Sequence, residues 1–383
     1  MSGRSSLTMA DVARLAGVST ATVSHVVNKS RRHTPATERR VHEAIEQLGY
    51  VRDPFARSLR TRTSGIIGIA MSAISNPYFA TIVQEIERNL RGTGTSILLA
   101  DTHDDPVIED RVVEDLMSRR VDGLVLAPSR SPERALRLAA RYGGPLVVVD
   151  RIDPGIDCDQ VAVENVEPVR EITAHLLDLG HTRLGMVTGI PGMTTSEERL
   201  RGFRLAHEEA GLDVDPVLVR SGRSSSVGAQ EAVEEMLGLS NPPTALVAGN
   251  NAMTIGTLRA LKATGRRVPD DTALVCFDDF EWADLFEPAL TAVAQPVRAM
   301  AQRAVEMLNS RRSDSSIAVR REVLRPVVAH RTSCGCGGVA PDRPARPGGL
   351  HWENTGAGGH APHDAGEPRS GTSSVSPSMT RSA

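Results

Sequence analysis

The sequence lacks the features that mark membrane, secreted and disulfide-rich proteins. Among its 383 residues no apolar run approaches the roughly 18 residues that a membrane helix needs. Residues 1–8 are polar and do not show the basic, apolar and small-residue order of a secretion signal. There are only 4 cysteines, and just Cys334 and Cys336 lie close together. We therefore expect a cytoplasmic protein without membrane association and without a disulfide framework.

Motifs of common enzyme classes are also missing. The sequence contains no phosphate-binding Gly-x4-Gly-Lys-Ser/Thr loop, no His-Glu-x-x-His zinc pair and no Gly-x-Ser-x-Gly nucleophile elbow. The glycines of residues 185–192 have the wrong spacing for a dinucleotide loop, and Pro191 interrupts them. Cys334-Gly-Cys336, taken with the tail histidines His351, His360 and His363, is a weak metal motif because it lacks a second cysteine pair. The sequence therefore assigns no catalytic residue, no cofactor and no metal.

The charge is divided unevenly along the chain. The formal net charge is −3, yet residues 1–62 carry 11 lysines and arginines against 5 aspartates and glutamates. Residues 1–62 are therefore basic, and the rest of the chain is acidic. Such a split can reflect an ordinary solvated face, but its concentration in one small unit favours an anionic partner, with nucleic acid as the first candidate.

The first fifty residues predict three short helices. The first follows Thr8 as its N-cap and ends at a turn formed by Gly17, the second follows Ser19, and the third follows Thr37 and ends at Gly49. Apolar residues at helical spacing can hold the first two helices together: Val12, Leu15 and Ala16 on the first, and Val18, Val23, Val26 and Val27 facing them.

This spacing is typical of a helix-turn-helix, although plain helical hairpins share it. The basic charge favours DNA binding, and so does the predicted exposed side of the second helix. That side carries small and polar groups able to approach base edges: Thr20, Ala21, Ser24 and His25. Residues 53–60 form one further helical pattern, which is too short to be stable alone, and a linker follows it.

From Gly65 onward, short runs of valine, isoleucine and leucine alternate with helical patterns. The predicted strands fall into two series, at residues 66–71, 96–100, 123–127 and 146–150, and at residues 184–188, 217–220, 245–248 and 274–277. Such alternation predicts an α/β fold with two parallel sheets, flanking helices and a cleft between two subdomains. A helix at 297–309 and strands at 317–324 and 327–330 come last, and residues 335–383 are predicted to be disordered.

Several segments of the sequence resemble a known family. The segment from Thr8 to Lys29 strongly resembles the headpiece of the lactose/galactose repressor (LacI/GalR) family. The resemblance covers residues 7 to about 332 and includes Ser-Asn-Pro-Tyr-Phe at 75–79, Arg-Val-Asp-Gly-Leu at 120–124, Arg-Leu-Arg-Gly-Phe at 199–203 and Phe-Asp-Asp at 277–279. It implies an all-α helix-turn-helix headpiece before a two-subdomain body like that of periplasmic binding proteins, crossed by three connections.

The resemblance also implies a domain organisation. The DNA-binding headpiece spans residues 1–52, and a hinge helix with its linker spans residues 53–64. The effector-binding and dimerisation body spans residues 65–332. Its N-subdomain comprises about residues 65–163 and 294–322, and its C-subdomain comprises about residues 164–293 and 323–332. Residues 333–383 remain as a low-complexity tail.

The family's DNA-binding positions fall on the second helix and on the hinge. They correspond to Thr20, Ala21, Thr22, Ser24, His25, Asn28, Ala56, Leu59 and Arg60. Threonine can contact a thymine methyl group, and His25 can donate to a guanine acceptor. Paired hinge helices in this family enter the minor groove, where a leucine at the position of Leu59 acts as an apolar wedge.

The family's effector positions fall on seven further residues: Tyr78, Phe79, Asp150, Thr195, Arg199, Asn250 and Asp278. An aromatic platform, two carboxylates, a guanidinium and an amide suit a sugar or a related polyol. Met193 stands where the purine-repressor branch has an effector-binding arginine, and Asn251 stands where aspartate is usual. Both departures argue against a purine effector, although the headpiece is similar to the purine-repressor branch.

Together these features predict a homodimeric transcriptional regulator, a repressor that binds pseudo-palindromic operator DNA under control of a small effector. A transport-type sugar-binding protein would have a secretion signal and no headpiece, and this sequence has the reverse pattern. An enzyme built on the α/β body would need a nucleophile–base pair or a cofactor loop, and we find neither motif in the sequence.

Overall fold

A computed structural model describes residues 7–28, 31–50, 63–72, 76–152, 155–337 and, for the backbone, 352–354. Several predicted features lie outside these residues: the hinge helix at 53–60, which contains Ala56, Leu59 and Arg60, the side chain of Asn28, and the tail histidines. Among the described helices, none combines the length and the apolar character needed to cross a membrane.

The headpiece contains three helices, α1 (Met9–Ala16), α2 (Thr20–Asn28) and α3 (Pro35–Leu48). Thr8 and Asp11 form a capping box at the start of α1. The predicted cap of α3 is wrong by one turn: Thr34 is the N-cap, and its hydroxyl oxygen accepts from the backbone N–H of Thr37 at 3.3 Å. Pro35, with its fixed φ and no N–H, starts the helix immediately after Thr34.

A small apolar core holds these helices together. It consists of Val12, Ala13, Ala16, Val23, Val26, Val27, Val41 and Ala44. Leu15 was predicted to face this core, but it is 50% exposed. The buried stripe of α1 passes through positions 12, 13 and 16, which leaves position 15 at its solvent edge.

The first sheet of the body consists of six strands: β1 (Ile66–Met71), β2 (Ser96–Asp101), β3 (Gly123–Leu126), β4 (Leu146–Asp150), β5 (Asp159–Val163) and β11 (Arg321–Leu324). All six are parallel and lie in the order β11-β5-β4-β3-β1-β2. Its helices are α4 (Pro77–Leu90), α5 (Pro106–Ser118), α6 (Glu133–Tyr142) and α11 (Val297–Ser313). Apolar clusters cover both faces of this sheet, as expected for parallel strands.

The second sheet consists of seven strands: β6 (Leu184–Thr188), β7 (Val219–Ser221), β8 (Ala245–Ala248), β9 (Ala273–Phe277), β10 (Thr291–Ala294), β12 (Val327–His330) and β13 (Trp352–Asn354). They lie in the order β13-β12-β10-β9-β8-β6-β7. The pairing of β10 with β12 is antiparallel, and the other described pairings are parallel. Its helices are α7 (Val166–Asp178), α8 (Thr194–Glu209), α9 (Ser226–Leu237) and α10 (Asn251–Ala263), with a short 3-10 helix at Pro216–Leu218. Helices α7 and α8 pack on one face, and α9 and α10 pack on the other.

The chain passes between the two sheets three times. The passages follow β5, β10 and β11, which end at Val163, Ala294 and Leu324. Each passage begins within two residues of a predicted subdomain limit, near 163/164, 293/294 and 322/323. The predicted tail starts too early, because Ser333 and Cys334 are fully buried in the second subdomain.

Candidate ligand cleft and DNA-binding surface

The carboxyl ends of the two parallel sheets border a cleft between the two subdomains. In open α/β sheets ligands bind at this edge. Asp150 ends β4, Asn250 precedes α10, and Asp278 follows β9. All seven predicted effector residues line this cleft: Tyr78, Phe79, Asp150, Thr195, Arg199, Asn250 and Asp278. The structure thus brings together side chains from both subdomains.

Asp150 and Asp278 carry the two predicted carboxylates. Each residue has a left-handed φ of 73°, an unusual conformation for a residue with a side chain. Tyr78 donates its hydroxyl to Asp150 Oδ1 at 2.7 Å. Gln295 donates its amide to Asp278 Oδ1 at 2.5 Å, and the backbone N–H of Asn251 donates to Asp278 Oδ2 at 3.3 Å. Both carboxylates are therefore buried acceptors, already engaged by polar donors.

Burial sets the protonation behaviour of this cleft. It raises the pKa of Asp278, an effect that hydrogen bonds and the Arg199 charge only partly offset and that the Asp150 carboxylate reinforces. Burial also raises the pKa of Tyr78 well above its ordinary value, and the negative charge of Asp150 adds to this effect. Tyr78 is consequently a neutral phenol and a hydrogen-bond donor at physiological pH.

The guanidinium of Arg199 is held in place from three directions. It donates to the carbonyl oxygen of Gly249 at 2.6 Å and to Asn165 Oδ1 at 2.9 Å. Its central carbon lies 3.6 Å from the ring centroid of Phe277, a cation–π contact. Because these contacts fix the planar fork before any ligand arrives, Arg199 presents donors to the cleft at a small entropic cost.

The adjacent residues Asn250 and Asn251 differ in the hydrogen bonds of their side chains. Asn250 uses its side-chain oxygen to cap α10 by accepting from the Met253 backbone N–H at 2.8 Å, so its amide N–H₂ is the group it can offer to a ligand. Asn251 is buried, and within the described residues neither its side-chain oxygen nor its side-chain nitrogen has a hydrogen-bond partner. Met193, the other departure noted in the sequence, is buried in the cleft wall.

Sequence reasoning missed several polar residues of the cleft, among them Asp104, Arg151 and Gln295. Arg151 Nε lies 3.3 Å from Asp150 Oδ2, and Arg151 Nη2 lies 3.2 Å from Asp104 Oδ1. The guanidinium also donates to a backbone carbonyl oxygen. Arg151 directly follows Asp150, so its place in the sequence was a usable signal. Asp104 and Gln295 come from a loop and from a passage between the sheets, where no periodicity points to a site.

The predicted base-reading residues lie on one side of α2. Thr20 and Ala21 are exposed, whereas Thr22, Ser24 and His25 are half-buried. Ser19 Oγ accepts from the Thr22 backbone N–H at 3.0 Å and so caps the helix. The valines of α2 face the headpiece core, which leaves this side available to a groove.

Comparisons with known proteins identify the family to which this chain is similar. Residues 8–53 match the family model described as bacterial regulatory proteins of the lacI family, and residues 173–334 match a periplasmic binding protein-like domain. The chain is 34% identical to the HTH-type transcriptional repressor PurR of Aliivibrio fischeri strain MJ11 over 329 residues, 85% of this chain and 98% of that protein. It is also 34% identical to the ribose operon repressor of Escherichia coli K12 over 327 residues, 85% of this chain and 99% of the relative.

Solved structures show the same likeness. A complex of the transcriptional regulator CelR with cellobiose is 30% identical, with a TM-score of 0.65, over 85% of this chain and 99% of that chain. The lac repressor dimer bound to operator and the anti-inducer ONPF is 25% identical, with a TM-score of 0.75, over 86% of this chain and 99% of that chain. The chain belongs to the LacI family of DNA-binding transcriptional repressors, which are not enzymes and which small-molecule effectors regulate.

Proposed function

We propose that the effector of this repressor is a sugar or a closely related polyol, bound between the two subdomains. The observation that carries the proposal is the convergence of Asp150 and Asp278 from different sheets on one cleft with Arg199. Carboxylates accept from hydroxyl groups, and a guanidinium fork donates to two adjacent oxygens. The set therefore matches neighbouring hydroxyl groups on a ring.

The aromatic pair supports the same chemistry. Phe79 and Tyr78 lie edge to face, with ring centroids 5.0 Å apart, and both line the cleft. An aromatic wall beside convergent polar groups is the usual arrangement for a ligand with one apolar face and several hydroxyl groups.

A purine is the second candidate, favoured by the 34% identity to the purine repressor. Met193 argues against a purine, because this buried thioether lies in the cleft wall. The family resemblance implies an arginine at this position in the purine-repressor branch. A thioether is a weak acceptor without a charge and does not replace a guanidinium toward a nucleobase.

On DNA, we propose a homodimer that binds a pseudo-palindromic operator. The basic headpiece supplies the ionic attraction to the phosphates, and Thr20, Ala21, Thr22, Ser24, His25 and Asn28 are the residues assigned to base recognition. Ala56, Leu59 and Arg60 are assigned to the minor groove on the family resemblance alone. The dimer matches each headpiece to one half-site.

The deciding experiment is a thermal-unfolding screen of the full chain with pentoses, hexoses, disaccharides and purine bases. A ligand that binds only the folded state stabilises it by about 2.7 kcal/mol at 100 times its Kd, so the melting temperature rises with ligand concentration. We expect such a rise with a sugar. A rise with a purine base alone, at concentrations where every sugar is inactive, would overturn the sugar assignment.

The same ligand is then added to a complex of the chain with an operator selected in vitro from random duplexes. We expect the operator affinity to change by about 5- to 150-fold, the usual range of allosteric coupling. A ligand that binds the chain without moving operator affinity would contradict its role as the effector.

A further inference from the structure

Four potential metal ligands meet at the edge of the second subdomain, outside the cleft. His175 lies near the end of α7, His330 ends β12, and Cys334 and Cys336 follow in the segment predicted to be disordered. One ligand atom from each residue lies within 4.8 Å of the other three. His175, His330 and Cys334 are buried, and Cys336 is half-buried.

The distances between these ligand atoms are close to the edges of a zinc tetrahedron, except that the two sulfur atoms lie closer together. His175 Nε2 lies 3.2 Å from His330 Nε2, and Cys336 Sγ lies 3.2 Å from the same His330 atom. Cys334 Sγ lies 3.7 Å from His330 Nε2 and 3.0 Å from Cys336 Sγ. Bond lengths of about 2.3 Å for Zn–S and 2.0–2.1 Å for Zn–N give tetrahedral edges of roughly 3.3–3.8 Å. The two thiols are not joined in a disulfide.

The backbone holds the two cysteines in this arrangement. Ser333, just before them, donates its hydroxyl to the Leu274 carbonyl at 2.7 Å and accepts from the Thr291 backbone N–H at 2.8 Å. Gly335, between them, has a φ of 88° and so turns the chain in a way that other residues resist. The segment is therefore fixed to the sheet, and both sulfur atoms face the histidine pair.

A hydroxyl group outside the cluster holds one of its sulfur atoms in place. Thr291 donates its hydroxyl to Cys334 Sγ at 3.4 Å and accepts from the Arg331 backbone N–H at 2.9 Å. Hydrogen bonds of this kind orient and tune the ligands in metal sites.

We propose that His175, His330, Cys334 and Cys336 form a structural zinc site that fastens the segment after β12 to α7. Two imidazoles and two thiolates in tetrahedral arrangement are the ligand set that selects zinc, and four protein ligands leave no open position for catalysis. None of these residues lines the effector cleft, so the site is independent of the effector assignment. Since zinc binds the folded arrangement, it stabilises the second subdomain.

The test uses the full chain, purified without a polyhistidine tag, incubated with equimolar zinc and passed through gel filtration. We expect one zinc per chain by elemental analysis. Replacement of zinc by cobalt is expected to give the intense visible absorption of a tetrahedral site together with thiolate-to-metal charge transfer. Wild-type protein that retains no stoichiometric zinc, or a mass lower by two hydrogens from a Cys334–Cys336 disulfide, would overturn the proposal.

Matched variants locate the site. Cys336→Ala and His175→Asn are expected to lose stoichiometric zinc and the cobalt charge-transfer band. Cys158→Ala and His207→Asn make the same changes at a buried cysteine and a buried histidine outside the cluster, and both are expected to keep the metal. Zinc retained by the two cluster variants, or lost equally from all four proteins, would refute the assignment; circular dichroism establishes that each variant is folded.

Discussion

Asp150 and Asp278 occupy equivalent positions in the two subdomains. Each lies at the carboxyl end of the fourth of five adjacent parallel strands. These strands are β2-β1-β3-β4-β5 in one sheet, with Asp150 at the end of β4, and β7-β6-β8-β9-β10 in the other, with Asp278 directly after β9. Both have a φ of 73°, and burial raises the pKa of Asp278, an effect to which the charge of Asp150 adds. A ligand that donates hydroxyl groups to both carboxylates relieves this repulsion, which gives the cleft a physical reason to favour a polyhydroxylated ligand.

The first prediction concerns Asp278→Ala. We expect effector affinity to fall by about 1.5–3 kcal/mol, roughly 10- to 150-fold, because a hydrogen bond to a charged group is lost. Operator binding without effector is expected to stay unchanged. Isothermal titration with the effector and an operator titration measure the two effects. Asp270→Ala, at an exposed aspartate, is the control, and equal effector affinity in the two variants would contradict the cleft assignment.

The second prediction concerns pH. Burial raises the pKa of Asp278 above 3.8, so this carboxylate takes up its proton at a higher pH than an exposed aspartate as the solution is acidified. Its protonated form loses acceptor capacity, and effector affinity is expected to fall as pH decreases through that raised pKa. The effect on stability has the opposite sign. Because the folded state holds this proton more tightly than the unfolded state, the free energy of unfolding decreases as pH rises through the raised pKa of Asp278. Asp278→Asn is expected to flatten this part of the affinity profile; an unchanged profile would show that another group titrates.

The third prediction concerns packing of α7 against α8. A Cβ on Gly202 would lie 2.2 Å from the Val166 carbonyl oxygen, a backbone atom that cannot rotate away. We expect Gly202→Ala to lower the free energy of unfolding by about 1–3 kcal/mol, the usual cost of overpacking. Gly144→Ala is the control, because a Cβ there meets no atom within 4 Å of the described structure. Equal melting temperatures for the two variants would contradict the close contact.

The fourth prediction concerns base recognition by α2. His25→Ala is expected to weaken binding to the selected operator by about 1–3 kcal/mol, the discrimination carried by a good base contact, and to change binding to a scrambled duplex little. His42→Ala removes an exposed histidine of α3 and serves as the control. Binding of wild type to both duplexes should weaken steeply with salt, because residues 1–62 are strongly basic. An equal loss on operator and scrambled duplexes would assign His25 to phosphate contact.

The fifth prediction concerns Leu59, which lies outside the described residues and whose role rests on the family resemblance. Leu59→Ala is expected to weaken operator binding more than binding to a scrambled duplex, because an apolar wedge supports the bend of a specific site. Effector binding to the free protein should not change. Parallel titrations of both duplexes at one salt concentration measure the difference, and a uniform loss would make Leu59 a packing residue.

Local signals in the sequence determined the headpiece and most of the strands. Thr8 with Asp11 caps α1, Gly17 and Gly49 end their helices in left-handed conformations, and the valine-rich runs became parallel strands. Motifs of the family identified the seven cleft residues, which the structure brings to one edge. These predictions succeeded because capping, periodicity and short motifs act within a few residues of each other.

Other features depended on contacts between distant parts of the chain. The strand predicted at 317–324 is limited to Arg321–Leu324, and β5 was missed, because neighbouring strands decide which extended residues join a sheet. Gln295 reaches Asp278 from a passage between the sheets. His175 meets Cys334 and Cys336 only because α7 packs beside β12. The sequence by itself determined local conformation and residue chemistry, whereas the tertiary structure decided which distant side chains share a site, since packing sets their distances.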